Sequence, residues 1–325
     1  MITKLTDLQK LALDTYKGTV QKYSKEEAEN AIRNAIIDAC GGEWNFYNFQ
    51  KNKWDVYQVI RELLSVGTGE LLVDKFNRFA DIRDVELGDN PEFLVEDTSL
   101  FRVASIANGN TDIRRQKLYD KKLIVPVEKL AIKIYEELDR FIAGRIDWNK
   151  MIDRVRLSFG NGIALRIFNA IHSSYDSLTA PFKEQGTFDE GKLLDMVAHV
   201  EASTGQAAAV FGTKKALSNI KVDDASDAMK DEFNSIGFYG VFRGTELIQL
   251  PQAHIPGTYN FAIDDNFLLV VPNGERIVKV VLEGDAYVYD TPPGSRNDEQ
   301  IEFFFGRKAG VGVLLADRFG IYKVA

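Results

Sequence analysis

The stretch NDEQIEFFFGRKAGVGVLLADRFG, Asn297 to Gly320, decides how this chain is read. A polar lead-in, Asn297 to Gln300, runs into the apolar Ile301 to Phe305. Gly306-Arg307-Lys308 follows, then Gly310 to Leu315 and the aromatic Phe319. Short apolar runs set off by turn residues are strand signals. From Phe267 onward the whole pattern is strand after strand. Pro272-Asn273-Gly274, Pro292-Pro293-Gly294 and Arg318-Phe319-Gly320 punctuate it.

Upstream of these strands the pattern mixes helix and strand. Phe238 to Leu250 reads as a hairpin turning at Arg243-Gly244. Asp189 to Thr204 is helical, with Leu193, Val197 and Val200 on one side and Gly205 as its stop. Gln206 to Phe211 is a short buried strand, and Thr213 to Ile220 begins another helix. Before them, Asp147 is placed as an N-cap. Trp148, Ile152, Val155, Phe159, Ile163, Ile167 and Ala170 follow as one apolar stripe, roughly 40 Å long at ~1.5 Å per residue. Gly160 and Gly162 interrupt the stripe, at about 1 kcal/mol each relative to alanine, and predict a kink or local break.

Residues 73–128 are polar and extended, and their charge is divided. Asp81 to Asp97 contains seven carboxylates and a single base, Arg83. Arg114 to Lys122 contains five bases and a single acid, Asp120. By composition alone this is a solvated surface loop. The first 70 residues read as helices. Ser24 and Glu27 form a capping box, Cys40-Gly41-Gly42 stops the helix that follows, and Trp54 to Val66 is helical until Gly67 and Gly69 end it.

Composition excludes several classes of function. In 325 residues there is one cysteine, Cys40, so neither an intrachain disulfide nor a cysteine-rich metal site can form. The net charge of −8 argues against a dedicated DNA groove. The apolar run Phe267 to Val271 is far short of the ~20 residues that cross a bilayer. Met1 to Leu13 lacks a signal peptide's apolar core, so folding in the cytoplasm is expected. His172, His199 and His254 fall in different elements with no metal-ligand spacing. Val210 to Lys215 lacks the glycine-lysine-serine/threonine order of a phosphate loop. No catalytic, cofactor or metal site is expected, and the chain reads as a non-enzyme.

The order of these pieces resembles the major capsid protein of tailed bacteriophages, a fold shared with encapsulins and the herpesvirus capsid floor. Asn297 to Gly320 carries the most specific likeness: it resembles the family's last strands, which implies a polar loop leading into an apolar strand, then a basic turn at Gly306-Arg307-Lys308, then a strand ending near an aromatic. Ala209 to Leu217, Gly237 to Gly240, Leu247 to Pro251 and Phe267 to Pro272 add to it. The resemblance implies an α+β fold with an N-terminal helical arm (1–72), an extended hairpin loop (73–128) and a peripheral domain with a spine helix (129–182). It further implies an axial domain (183–274) and a return to the peripheral sheet (275–325). It implies a shell built from pentamers and hexamers of this chain, enclosing double-stranded DNA without sequence specificity. A separate scaffolding protein and a portal protein would be partners, with assembly in the bacterial cytoplasm and no membrane or cofactor. An encapsulin-like shell around a cargo enzyme is the alternative. With the fold as a guide, the divided charge gains a role between subunits. The expected contacts are Asp81, Asp84, Glu86, Asp89, Arg114, Arg115, Lys117, Lys121 and Lys122.

Overall fold

A computed structural model describes residues 6–17, 24–89, 91–96, 103–106, 108, 113–116, 119–143, 147–222, 225–255, 257–291, 300–314 and 318–324. Three helices open the chain, α1 (Asp7–Lys17), α2 (Lys25–Ala39) and α3 (Phe46–Phe76). Strands β1 (Ala80–Val85), β2 (Glu92–Glu96), β3 (Tyr119–Ile124) and β4 (Val127–Glu137) follow, then α4 (Leu138–Ile142) and α5 (Trp148–Ser174). The middle holds β5 (Lys183–Gly186), α6 (Glu190–Thr204), β6 (Ala208–Gly212), α7 (Lys214–Ser218), α8 (Asp227–Ile236), β7 (Val241–Phe242) and β8 (Thr245–Gln249). The chain closes with β9 (Phe267–Pro272), β10 (Val278–Asp290), β11 (Gln300–Val313) and β12 (Gly320–Val324).

Local chemistry sets most of the boundaries. Ser24 and Glu27 form the reciprocal capping box of α2. Asp147 caps α5, Asp189 caps α6 and Thr213 caps α7 through side-chain oxygens. Gly205 and Gly237 end α6 and α8 in the left-handed conformation. Arg243 and Gly244 both have positive φ, which turns β7 into β8.

Two sheets share one core. The first has the order β1-β10-β11-β4 and the second β5-β12-β9-β6-β8-β7. Helices α3 and α5 lie over both. Trp148 packs edge-on against Phe303 of the first sheet, Phe76 against Phe168 of α5, and Phe79 against Phe211 of the second sheet. Ala209, Phe211, Leu269, Val271 and Ile321 face this main core. Their neighbours Val210, Leu268, Val270 and Tyr322 face a second core built with α6 and α7. The second sheet is thus covered on both faces, and every residue of β6 and β9 is buried.

Several sequence expectations change. Helix α3 does not stop at Gly67 and Gly69 but runs 31 residues to Phe76. Both glycines are buried, and a Cβ on Gly69 would lie 3.6 Å from Asp84 Oδ2. Tertiary packing outweighs the ~1 kcal/mol propensity cost of each. Helix α5 is likewise unbroken at Gly160 and Gly162. Gly160 is where α3 comes closest, since a Cβ there would overlap Leu71 at 2.2 Å. Helix α3, which begins in the expected N-terminal arm, packs against α5, β1 and β10. Residues 80–85 of the expected loop form β1, an edge of the first sheet. The 275–325 segment divides: β10 and β11 join the first sheet, while β12 pairs with β9 and β5 in the second. Phe319 is fully buried and anchors that crossing.

The expected basic turn at Gly306-Arg307-Lys308 is the middle of β11. Arg307 points into the core with only 2% exposure. Its guanidinium donates to the Ser65 carbonyl of α3 at 2.8 Å and to Asp84 Oδ1 of β1 at 3.2 Å. Burial pulls its pKa down, but an arginine this far above neutrality stays charged. Removing it takes away a second donor to the helical Ser65 carbonyl and the partner of Asp84, and opens a cavity. Arg307→Ala is expected to cost about 3–5 kcal/mol in urea unfolding of the subunit, and Arg307→Met, which refills the volume, less than half of that. Equal losses for the two variants would contradict this account.

Candidate assembly surface

The hairpin β2–β3 is rooted on the face of the first sheet opposite the helices. Val280 and Leu282 of β10 point to the main core, whereas Val281 between them meets Phe93 of β2 and Val125. Strand β11 accommodates the root with glycines two residues apart. A Cβ on Gly310 would sit 2.5 Å from the Pro126 carbonyl oxygen, and one on Gly312 would sit 3.0 Å from Val125. Farther along the same face, the Tyr287 ring lies over Gly306. Tyr289 and Phe304 stack there with centroids 4.6 Å apart, and Lys129 sits 4.9 Å from the Tyr287 ring. Tyr135 continues the strip at 65% exposure.

The charges beside the root are mostly paired within the subunit. Asp81 accepts from Arg83 at 3.0 Å and from Lys279 at 3.2 Å. Arg83 in turn lies 4.4 Å from the buried Phe93 ring. Burial alone would raise the Asp81 pKa, but Lys279 and Arg83 outweigh it and hold the carboxyl below its usual range. Asp84 is tied to Arg307, and Lys122 to Glu92 across the hairpin. Glu283 accepts from Lys308 and from the Gly88 amide.

The nine residues expected between subunits therefore separate. Asp81, Asp84 and Lys122 have partners in their own chain. Glu86, Asp89, Arg114 and Arg115 are exposed. Lys121 lies in β3 opposite Val95. Lys117 lies outside the described residues, as do Pro292-Pro293-Gly294. Sequence reasoning missed the apolar side chains of the hairpin. Val103 is 97% exposed, and Ile106 and Ile113 are each about half exposed. The signal was present as isolated apolar residues inside a polar stretch.

Nothing among the described residues resembles a reaction centre. No group of His, Cys, Asp and Glu is arranged to hold a metal ion. The histidines are apart: His172 lies 3.7 Å from Asp264, His199 is edge-on to Phe182, and His254 stacks on Phe261. Burial pushes the Cys40 thiol up, away from nucleophilic reactivity. No helix among the described residues is long and apolar enough to cross a membrane.

A family model described as "SPbeta prophage-derived putative capsid protein YonB" matches residues 7–323. No curated protein sequence matches the chain. Among solved structures, the capsid of a native GTA particle is similar at 12% identity with a TM-score of 0.56, over 78% of this chain and 90% of that one. At that identity the likeness is one of fold. Microbacterium phage Oxtober96 is similar at 11% identity and a TM-score of 0.48, over 78% of this chain and 90% of that one. A virus-like particle from Pyrococcus furiosus is similar at 13% identity and a TM-score of 0.46, over 81% and 98%. Neither of these two adds to the argument.

Two expectations follow from the root. Gly310→Ala forces a backbone carbonyl away and is expected to cost about 1–3 kcal/mol, with faster hydrogen exchange across residues 123–127. Unchanged exchange there would sink the close-approach argument. Asp81→Asn is expected to cost about 1–2 kcal/mol at neutral pH. A depressed carboxylate stabilises above its unfolded pKa of about 3.9, and that stability is lost as pH falls through the lower folded value. The deficit of the variant should therefore shrink in acid; a deficit that persists unchanged below both values would refute the assignment.

Proposed function

This chain belongs to the YonB family of phage-derived capsid proteins, and from that membership we propose that it is the major capsid protein of an icosahedral bacteriophage head. It is a structural shell protein with the mixed helix-and-sheet fold of phage-type capsids. In this reading, copies associate as pentamers and hexamers and close around double-stranded DNA. Assembly proceeds in the bacterial cytoplasm with a separate scaffolding protein and a portal protein. The domain roles follow the sheets: the first sheet with α3 and α5 is peripheral, and the second sheet with α6 and α7 is axial. A net charge of −8 suits containment of DNA by confinement rather than by a phosphate-binding stripe.

The observation that carries this reading is the family match across nearly the whole chain. The hairpin supports it at the level of residues, because Val103 is almost fully exposed and Ile106 and Ile113 are about half exposed. Glu86, Asp89, Arg114 and Arg115 would then set register between copies. Each exposed pair contributes only about 0.2–1 kcal/mol, but a closed shell repeats the contact many times.

Co-expression with a scaffolding protein and a portal protein, followed by electron microscopy, tests the reading. Closed particles containing DNA are expected, whereas a single co-purifying enzyme inside them would favour a cargo shell. Val103→Asp with Ile113→Asp is expected to reduce particle yield roughly tenfold or more, while the unfolding midpoint of the free subunit stays within about 0.5 kcal/mol of wild type. A chain that remains monomeric with all those proteins supplied would overturn the proposal.

A further inference from the structure

A pocket of about 340 Å³ is lined from both sheets at once. Asn77 and Arg78 come from the end of α3, Glu246 from β8, Asn273 and Gly274 from the turn after β9, and Arg276 from the approach to β10. Backbone bonds hold this frame. The Asn273 amide donates to the Ala207 carbonyl at 2.7 Å, and the Val278 amide to the Phe79 carbonyl at 3.1 Å. Gly274 turns at a φ of +104°, and a Cβ there would lie 3.1 Å from the Gln206 side-chain oxygen.

We propose that this pocket binds a phosphate group, held by the guanidinium groups of Arg78 and Arg276 and the side-chain amides of Asn77 and Asn273. The phosphate is a free ion or one unit of a nucleic-acid backbone, since both present the same anionic oxygens. The site stands on the geometry of one subunit and does not rest on the shell reading.

The observation that carries it is an arginine without a close counter-ion in an acidic chain. Arg276 is 53% exposed, makes no hydrogen bond among the described residues, and reaches Asp81 Oδ1 only at 4.0 Å. Asp81 is already engaged, because its other oxygen accepts from Lys279 at 3.2 Å and from Arg83 at 3.0 Å. Arg78 donates through Nη1 to Glu246 at 2.9 Å, which leaves Nε and Nη2 open among the described residues. A guanidinium offers five donors in a planar fork that matches phosphate oxygens. The exposed amides of Asn77 and Asn273 likewise make no side-chain hydrogen bond among the described residues. The local charge balance favours an anion, although the whole chain carries −8. Arg78, Arg276, Arg83 and Lys279 face only Glu246 and Asp81 in these pairings. The carbonyl end of α3 opposes an anion, but it amounts to roughly half a charge, less than the excess of the bases. A pocket of this size admits a phosphate group together with ordered water. Bound there, the anion joins Arg78 and Arg276, ahead of β1 and β10 of the first sheet, to Asn273 of the second. A ligand that binds only the folded chain stabilises it by mass action, so the site couples phosphate to the joint between the sheets.

Calorimetric titration of the purified chain with inorganic phosphate, at constant pH and ionic strength, tests the site. Saturable binding at one site is expected for the wild type. Arg276→Gln is expected to bind at least tenfold more weakly, with an unfolding midpoint in chloride equal to that of the wild type. Glu246→Gln, which removes the carboxylate from the pocket and frees the Arg78 fork, is expected to bind severalfold more tightly. Lys150→Gln, which removes an 81% exposed base outside the pocket, is expected to bind as the wild type does. A short DNA duplex is the second probe. Displacement of phosphate by the duplex identifies a nucleic-acid backbone as the source, and phosphate that stays bound identifies the free ion. Titration without saturation, equal affinity in the wild type and Arg276→Gln, or a loss in Lys150→Gln as large as in Arg276→Gln would overturn the proposal.

Discussion

The close approach of α3 to α5 is the constraint on which the rest of the structure depends. A Cβ on Gly160 would lie 2.2 Å from a methyl carbon of Leu71, so the glycine gives that side chain its room. Because the two helices pack this tightly, one helical layer can cover parts of two sheets at once. The aromatic contacts Trp148–Phe303, Phe76–Phe168 and Phe79–Phe211 run along that layer from the first sheet to the second. A wider spacing would open voids on both sides, and cores tolerate little missing volume.

The buried Arg307 belongs to the same constraint. It fastens α3, β1 and β11 at a single point. An apolar residue of similar size could serve stability nearly as well. A charged fork, however, also fixes which backbone carbonyl and which carboxylate must be adjacent. Asp84 is 69% exposed, so the pair is enclosed only on the arginine side. That arrangement avoids the full cost of burying two ions.

Closed cores with some apolar side chains left exposed outside them suit a subunit of a shell. The main core and the second core satisfy nearly all large apolar side chains of the two sheets. The exposed ones include Tyr135 and Tyr289 of the first sheet and Val241 of the second, with Phe261 and residues of the hairpin outside them. Subunits of this kind fold on their own contacts and leave the remainder of the apolar area for association.

Much of this was legible in the sequence, for reasons that can be given residue by residue. Helix starts at Ser24, Asp147, Asp189 and Thr213 were readable because capping is local chemistry. The last strands were readable because their turns carry Pro, Gly and Asn. What escaped were features whose meaning depends on distant neighbours. Gly67, Gly69, Gly160 and Gly162 look like breaks in a linear reading, yet both helices run through them, and packing makes Gly69 and Gly160 contact points. Gly306-Arg307-Lys308 looks like a turn until Ser65 and Asp84 are brought to the arginine from 242 and 223 residues away. Asp81 and Asp84 look like free charges until Lys279 and Arg307 arrive. The sequence by itself determined the order of elements, the family resemblance and the absence of recognisable catalytic motifs. Only the tertiary structure decided which glycines admit a neighbour, which charges are neutralised within the subunit and which apolar side chains are left for another. Those properties are set by distances between residues far apart in the chain, and local propensity carries no information about them.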